Sequence, residues 1–208
     1  MIALPIDTGP TALFYRADLF EEAGLPSDPD EVHEQLATWD QYFEAGQKLQ
    51  EHFDNKVKML DNINNIYTQV NAQSDRIYFN PDDTFIGDTA DSSMKTAWDL
   101  AVKAAEMKLS ANASTQSSEW NAAMNNGRIA SFVGAVWMKE ILMQAAPDTS
   151  GKWRVARAPG GDGNNGGSFL AIMKTSKYPQ EAFDVIRWIQ NPENQIQSFD
   201  KMNLFPSA

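Results

Sequence analysis

The segment Trp153–Ile189, "WRVARAPGGDGNNGGSFLAIMKTSKYPQEAFDVIRWI", joins two apolar stretches through a loop that contains five glycines. The stretches "KWRVARA" and "SFLAIMKT" predict strands. The stretch "YPQEAFDVIRWIQ" predicts a helix, with Pro179 near its first turn. A strand, a loop, a second strand and a helix in succession are typical of a chain in which helices pack on a sheet.

The glycines of this loop also form a nucleotide-binding pattern. Gly161, Gly163 and Gly166 spell GxGxxG, a pattern that binds a dinucleotide when a helix begins directly after it. Here a second strand follows, and the acidic residue nearest to the expected position about twenty residues on, Asp184, lies inside a predicted helix. No nucleotide cofactor is therefore expected. Two interpretations remain: a flexible connection, or a loop whose exposed backbone N–H groups face a polar ligand.

The composition excludes several classes of function. The 208 residues suffice for one large domain or two small lobes, and 42% of them are hydrophobic. A net charge of −11 without a basic run argues against a nucleic-acid partner. Because cysteine is absent, disulfides, thiolate metal sites and a cysteine nucleophile are excluded. The opening "MIALPIDTGP" lacks the basic region of a signal peptide, and no apolar run approaches the roughly 18 residues of a membrane span.

The rest of the chain alternates between strand and helix patterns. "IALPID", "TALFY" and "RIASFVGA" predict strands, and Thr38 with Gln41 predicts a capping box that opens a helix. Trp39 and Trp98 lie on apolar helical stripes, which predicts that both are buried. This alternation predicts an α/β or α+β chain with a mostly helical surface.

Four segments in this order resemble a known family. They are "LPIDTGPTALFYRADLFEEAGL", "TWDQYFEAGQKL", "MNNGRIASFVGAVW" and the segment Trp153–Ile189. Together they are similar to the extracellular solute-binding proteins of bacterial ABC transporters that capture sugars and oligosaccharides. The resemblance implies the α/β fold class and a type II periplasmic-binding-protein-like lobe with a mixed sheet flanked by helices. In this fold, hinge strands join two α/β lobes and the ligand lies between them.

The resemblance also implies how this chain is divided. Residues 1–159 correspond to the second, carboxy-terminal-type lobe with its first hinge strand, and residues 160–208 correspond to a return segment of the first lobe. The second lobe is expected to be incomplete and the first mostly missing, so that this piece is expected to self-associate. The full-length protein is expected to be periplasmic or lipid-anchored at the cell surface, and to deliver its solute to a membrane permease.

Trp137 is the first candidate for solute binding. It follows the predicted strand "SFVGA" at the start of a helix. Sugars present apolar C–H faces, so a flat indole ring at the rim of a pocket suits them. The resemblance implies a stacking tryptophan after this strand, and the alternative is a tryptophan buried in the core.

Two further groups of residues are candidates. Asp7 lies between a strand and the "TGP" turn, where its carboxylate could accept hydrogen bonds from sugar hydroxyls or cap its own turn. Gly166, Gly167 and Ser168 could offer N–H groups and a hydroxyl to ligand oxygens. Tyr15 is included for its place after the hinge, although a structural role is the alternative.

Neither a catalytic site nor a metal site is recognisable. The chain has no Gly-x-Ser-x-Gly motif, and its two histidines, His33 and His52, lack the spacing of a zinc site. No metal and no cofactor are therefore expected. Three hypotheses remain: a non-enzymatic sugar-binding lobe, a glycosidase-like domain that uses Asp7 with a second carboxylate, and a helical scaffold without a small-molecule site.

Overall fold

The computed structural model describes residues 3–202 and residue 206. Residues 1–2, 203–205 and 207–208 lie outside the described residues. Residue 2 belongs to the predicted strand "IALPID". The strands are β1 (Ala3–Pro5), β2 (Thr11–Arg16), β3 (Ser131–Ala135), β4 (Trp153–Ala156) and β5 (Phe169–Ala171). The helices are α1 (Ala17–Glu22), α2 (Pro29–Gln35), α3 (Trp39–His52), α4 (Ile63–Ala72), α5 (Ser93–Glu106), α6 (Ser118–Asn125), α7 (Met138–Ala145), α8 (Pro179–Ile189) and α9 (Pro192–Met202).

The main sheet is built around β2, which pairs antiparallel with β3 on one side and with β4 on the other. Beyond β3, Lys58 forms a parallel bridge with Ile129, and Leu60 forms one with Ser110. The sheet is therefore mixed, and helices flank it, as the sequence predicted. The strands β1 and β5 form a separate antiparallel pair. The Gly-rich loop connects the two sheets, because it runs from β4 to β5.

Alternate residues of β2 enter two different cores, because successive side chains of a strand point to opposite faces. Leu13 belongs to the larger core with the buried side of α3. Phe14 belongs to the smaller core, where its ring stacks on Phe132 with the ring centroids 4.9 Å apart. The capping box of Thr38 and Gln41 is present at the start of α3, as predicted.

The prediction that Trp98 is buried was wrong. Trp98 is 62% exposed, whereas Trp39 is buried. The buried positions of α5 are three alanines, Ala97, Ala101 and Ala104, whose small side chains permit close packing against α4. The bulky indole lies beside this contact, in a shallow groove of about 380 Å³ between the two helices.

A buried carboxylate, Asp61, connects α4 and α6 to the sheet. It accepts a hydrogen bond from the Trp120 indole nitrogen at 2.9 Å and one from the Asn62 backbone nitrogen at 2.7 Å. Both of its oxygens also accept from the Asn65 amide at 2.9 Å. Burial raises the pKa of Asp61 to about 6, although these hydrogen bonds act in the opposite direction.

The return segment leaves an apolar surface open. A groove of about 760 Å³ lies between the β1–β5 pair and α8. Its apolar lining includes Leu4, Leu170, Ile172, Phe183 and Ile186. Several large side chains of residues 160–208 are mostly exposed, and we call this set of residues the open apolar face: Phe169, Met173, Val185, Trp188 and Ile196.

Candidate functional site

The edge of the main sheet where β2 begins and β3 ends is where most of the predicted site residues meet. Thr11 of β2 pairs with Ala135 of β3, and the backbone nitrogen of Val136 donates to the Pro10 carbonyl at 3.0 Å. Trp137 follows at once, at the amino-terminal cap of α7. The chain between β1 and β2, which carries Asp7, reaches the same edge.

The Trp137 ring is 38% exposed and is anchored at one end. Its indole nitrogen donates a hydrogen bond to the Asn165 carbonyl at 3.1 Å. Gly166 lies directly against the ring, since a Cβ added there would be 3.1 Å from the indole nitrogen. The backbone of Gly166 also has a φ of +118°, which a side chain would disfavour. Trp137 is therefore not a core tryptophan: the loop holds its indole nitrogen, and part of the residue stays exposed.

Asp7 binds the end of the Gly-rich loop. Its carboxylate accepts hydrogen bonds from the backbone nitrogen and, at 3.3 Å, from the hydroxyl of Ser168. The backbone nitrogen of Ile6 donates to the Ser168 carbonyl at 2.9 Å. A carboxylate can accept about four hydrogen bonds, so Asp7 retains capacity for hydroxyl groups of a ligand.

Two backbone donors lie between these anchors. Gly166 and Gly167 are exposed and have positive φ values. Over residues 3–202, no acceptor engages the backbone N–H of either glycine. The backbone nitrogen of Asn165, by contrast, donates to the Gly9 carbonyl at 2.8 Å. The loop is thus attached on both sides of two N–H groups that are free to bind oxygen atoms.

Tyr15 does not belong to this site, and we remove it from the candidates. Its side chain is 0% exposed, and its hydroxyl donates to the Ser27 carbonyl at 2.7 Å. Burial, followed by the nearby charge of Asp28, raises the pKa of Tyr15 to about 12. The residue lies inward on β2 because the side chains of a strand alternate between its two faces.

Gly9 was not recognised from the sequence. A Cβ at Gly9 would lie 2.7 Å from the Asn165 carbonyl oxygen, so only glycine permits this close approach of two backbone segments. The "TGP" turn that contains Gly9 marked a tight bend. No local pattern indicated that the loop more than 150 residues later would pack on this turn.

A charged pair, Arg157 and Asp162, lies in the loop beside the site. At the start of the loop, the Arg157 guanidinium forms two hydrogen bonds with the Asp162 carboxylate, at 2.8 and 2.6 Å. This contact holds the pKa of Asp162 below its usual value. No cluster of metal-binding side chains exists among the residues that the structure describes. As the sequence predicted, the GxGxxG pattern leads to a strand, β5.

The chain is similar to several proteins of one kind. Residues 2–196 match a family described as bacterial extracellular solute-binding protein. A lactose-binding protein of Rhizobium radiobacter is 25% identical over 193 residues, which are 89% of this chain and 44% of that protein.

Two solved structures resemble the described fold. A crystal structure of extracellular solute-binding protein family 1 has a TM-score of 0.90 and 34% identity, over 100% of this chain and 53% of that chain. The other structure is the ABC transporter associated binding protein from B. animalis subsp. lactis Bl-04 in complex with beta-1,6-galactobiose. It has a TM-score of 0.75 and 28% identity, over 99% of this chain and 51% of that chain. The chain thus spans about half the length of these relatives.

Proposed function

Because the chain belongs to the bacterial extracellular solute-binding protein family, we propose that it provides one wall of a carbohydrate-binding cleft in the substrate-capture component of an ABC importer. The family and the type II periplasmic-binding-protein-like fold predicted from the sequence are both confirmed. The proposed place of action is outside the cytoplasm, and the proposed partner is a membrane permease.

One observation carries the proposal. At one edge of the sheet lie a partly exposed indole, a carboxylate and two backbone N–H groups that have no acceptor among residues 3–202. A sugar needs an aromatic surface for its C–H face and both donors and acceptors for its hydroxyls. Trp137 supplies the first, Gly166 and Gly167 supply donors, and Asp7 supplies an acceptor.

The main sheet supports the proposed domain division, although β1, within residues 1–159, pairs with β5 of residues 160–208. Residues 1–159 contain the whole main sheet and both cores of β2, whereas residues 160–208 contribute β5, α8 and α9. We assign the first part to one lobe and the second part to the return segment of the other lobe. The Gly-rich loop then lies at the crossing between them.

The relatives suggest which sugars to test first. The two ligands that their descriptions name, lactose and beta-1,6-galactobiose, are disaccharides. A thermal-shift screen of a two-lobed protein that contains this chain should therefore begin with these two and continue with longer oligosaccharides. A ligand that binds only the folded state raises its melting temperature. A flat melting temperature across the panel, at saturating sugar, would contradict the proposal.

We expect no turnover of any bound sugar. The named relatives are binding proteins, and both oxygens of the Asp7 carboxylate accept hydrogen bonds from Ser168. Incubation with oligosaccharides, followed by chromatography, should return them intact. Hydrolysis that the variant Asp7→Asn abolishes would instead favour the glycosidase-like alternative.

We also expect the 208-residue chain to self-associate through the open apolar face, with a second copy as the occupant. Exposed strand edges with apolar side chains pair readily with another chain. Light scattering should report a dimer or a larger assembly. The double variant Val185→Lys and Trp188→Lys should be a monomer, while the control Trp98→Lys, at an exposed indole on α5, should not change the assembly. A monomeric unmodified chain would refute this expectation.

A further inference from the structure

The Gln73 side chain joins α4 to the Gly-rich loop. Its amide nitrogen donates hydrogen bonds to the carbonyls of Pro159 and Gly161, each at 2.8 Å. Its amide oxygen accepts from the Trp39 indole nitrogen at 3.3 Å. One side chain thus connects a helix end, a core tryptophan and two positions of the loop that lie 86 and 88 residues away.

The orientation of this amide is fixed by its partners. Both N–H groups face carbonyl oxygens, which can only accept, and the oxygen faces an indole N–H, which can only donate. The opposite orientation would place oxygen against oxygen and N–H against N–H. The Gln73 backbone is also held, because its nitrogen donates to the Gln69 carbonyl at 3.0 Å, where α4 ends.

The loop residue between the two bonded carbonyls fits this contact closely. Gly160 has a φ of +84°, and a Cβ there would lie 2.6 Å from the Trp39 indole nitrogen and 2.8 Å from the Gln73 amide oxygen. Its backbone nitrogen donates to the Ala37 carbonyl at 2.8 Å. Only glycine can occupy this position without displacing the amide.

We call the contact of the Gln73 amide with Pro159 and Gly161 the clamp. Further hydrogen bonds hold the loop between the clamp and the candidate site. The backbone nitrogen of Asn164 donates to the Ala72 carbonyl at 3.3 Å, one residue before Gln73. The next residue, Asn165, accepts from the Trp137 indole, and Ser168 lies three residues further on, against Asp7. The attachments of the loop thus run from the Gln73 amide to the edge of the sheet that carries Trp137 and Asp7.

The geometry points to Gln73 as a positioning residue: its amide holds the Gly-rich loop so that Asn165 to Ser168 stay aligned with Trp137 and Asp7. The value of this alignment for sugar binding rests on the proposed function, but the alignment itself does not. Gln73 contacts neither Trp137 nor Asp7 directly, so its effect must pass through the loop.

The variant Gln73→Glu tests this role without any sugar. It keeps the shape of the side chain but places carboxylate oxygens against two carbonyl oxygens. NMR hydrogen exchange of the 208-residue chain should then show the Trp137 indole proton and the Asn165 amide proton exchanging roughly tenfold faster or more, an opening free energy lower by about 1.4 kcal/mol. The Trp120 indole, bonded to Asp61 in the core, is the internal reference and should keep its rate. Gln47→Glu adds the same charge on the exposed side of α3 and should change none of these rates.

Faster exchange at the Trp39 indole alone, with unchanged rates at Trp137 and Asn165, would overturn the proposal. If Gln73→Glu lowers protection at Trp120 as well, the variant destabilises the whole fold. Hydrogen exchange of the unmodified chain then tests whether the clamp and the loop open together. In it, the Trp39 indole, the Trp137 indole and the Asn165 amide should open together, with protection factors within about tenfold of one another in low denaturant. Protection that differs by more than this would show that the loop and the clamp move independently. Because no ligand is added, a failure here is distinct from a failure of the proposed sugar binding.

Discussion

Raising the pH from about 4 to about 7 is expected to remove roughly 3 kcal/mol of the stability that Asp61 contributes to this chain. Burial raises the pKa of Asp61 from 3.8 to about 6, so the folded state binds this proton more tightly than the unfolded chain does. The contribution is therefore complete below about pH 4 and is lost as the pH rises through about 6.

Other carboxylates titrate in the same range, so the effect must be isolated by mutation. Burial acts to raise the pKa of Asp18, but its contacts with Arg16 lower it on balance. Asp18 therefore adds to the stability of the folded chain as the pH rises. Urea unfolding of the unmodified chain and of Asp61→Asn should be compared at each pH. The difference between their free energies of unfolding should shift by roughly 3 kcal/mol against the unmodified chain between about pH 4 and pH 7. A difference that does not change with pH would show that the burial of Asp61 carries no such penalty.

The substitution Trp137→Ala is expected to weaken sugar binding at least about tenfold, or roughly 1.4 kcal/mol, in a two-lobed protein that contains this chain. The variant removes the aromatic surface and the hydrogen bond from the indole to the Asn165 carbonyl. Calorimetric titration with the sugar that gives the largest thermal shift measures the effect.

Trp98→Ala is the matched control, because Trp98 is also an exposed indole but lies on α5 in the groove beside Tyr67. It should leave the dissociation constant unchanged. Trp137→Phe should recover part of the affinity, because it restores an aromatic ring but not the hydrogen bond. Equal dissociation constants for the unmodified protein and Trp137→Ala, with the fold intact, would remove Trp137 from the site.

Local patterns were sufficient to predict much of the fold. The capping box of Thr38 and Gln41, the buried strand before Trp137 and the strand on either side of the Gly-rich loop are all present. Each depends on residues close together in sequence, whose spacing fixes the backbone with little help from the rest of the chain. The prediction that Trp98 is buried was wrong because periodicity identifies a helix but not how closely it packs on the next helix. Here the buried alanines of α5 set its distance to α4.

The site was only partly predictable. Asp7 and Ser168 were separate candidates in the sequence, and no local spacing predicts that they meet across 161 residues. The Gln73 clamp and the Asp61 network left no recognisable pattern, since a polar side chain at a helix end resembles any solvated residue until its distant partners are known. Such contacts follow from the tertiary structure and not from local spacing.

An NMR titration of the 208-residue chain with lactose and beta-1,6-galactobiose tests the central claim most directly. One wall of a cleft binds weakly, so we expect saturable changes with roughly millimolar dissociation constants, about −4 kcal/mol. The shifts should be largest at the Trp137 indole and at the backbone amides of Gly166 and Gly167, and absent at the indoles of Trp98 and Trp120. Saturable shifts centred on Trp98, or no shift at Trp137 with any sugar of the panel, would contradict a carbohydrate site at this edge of the sheet.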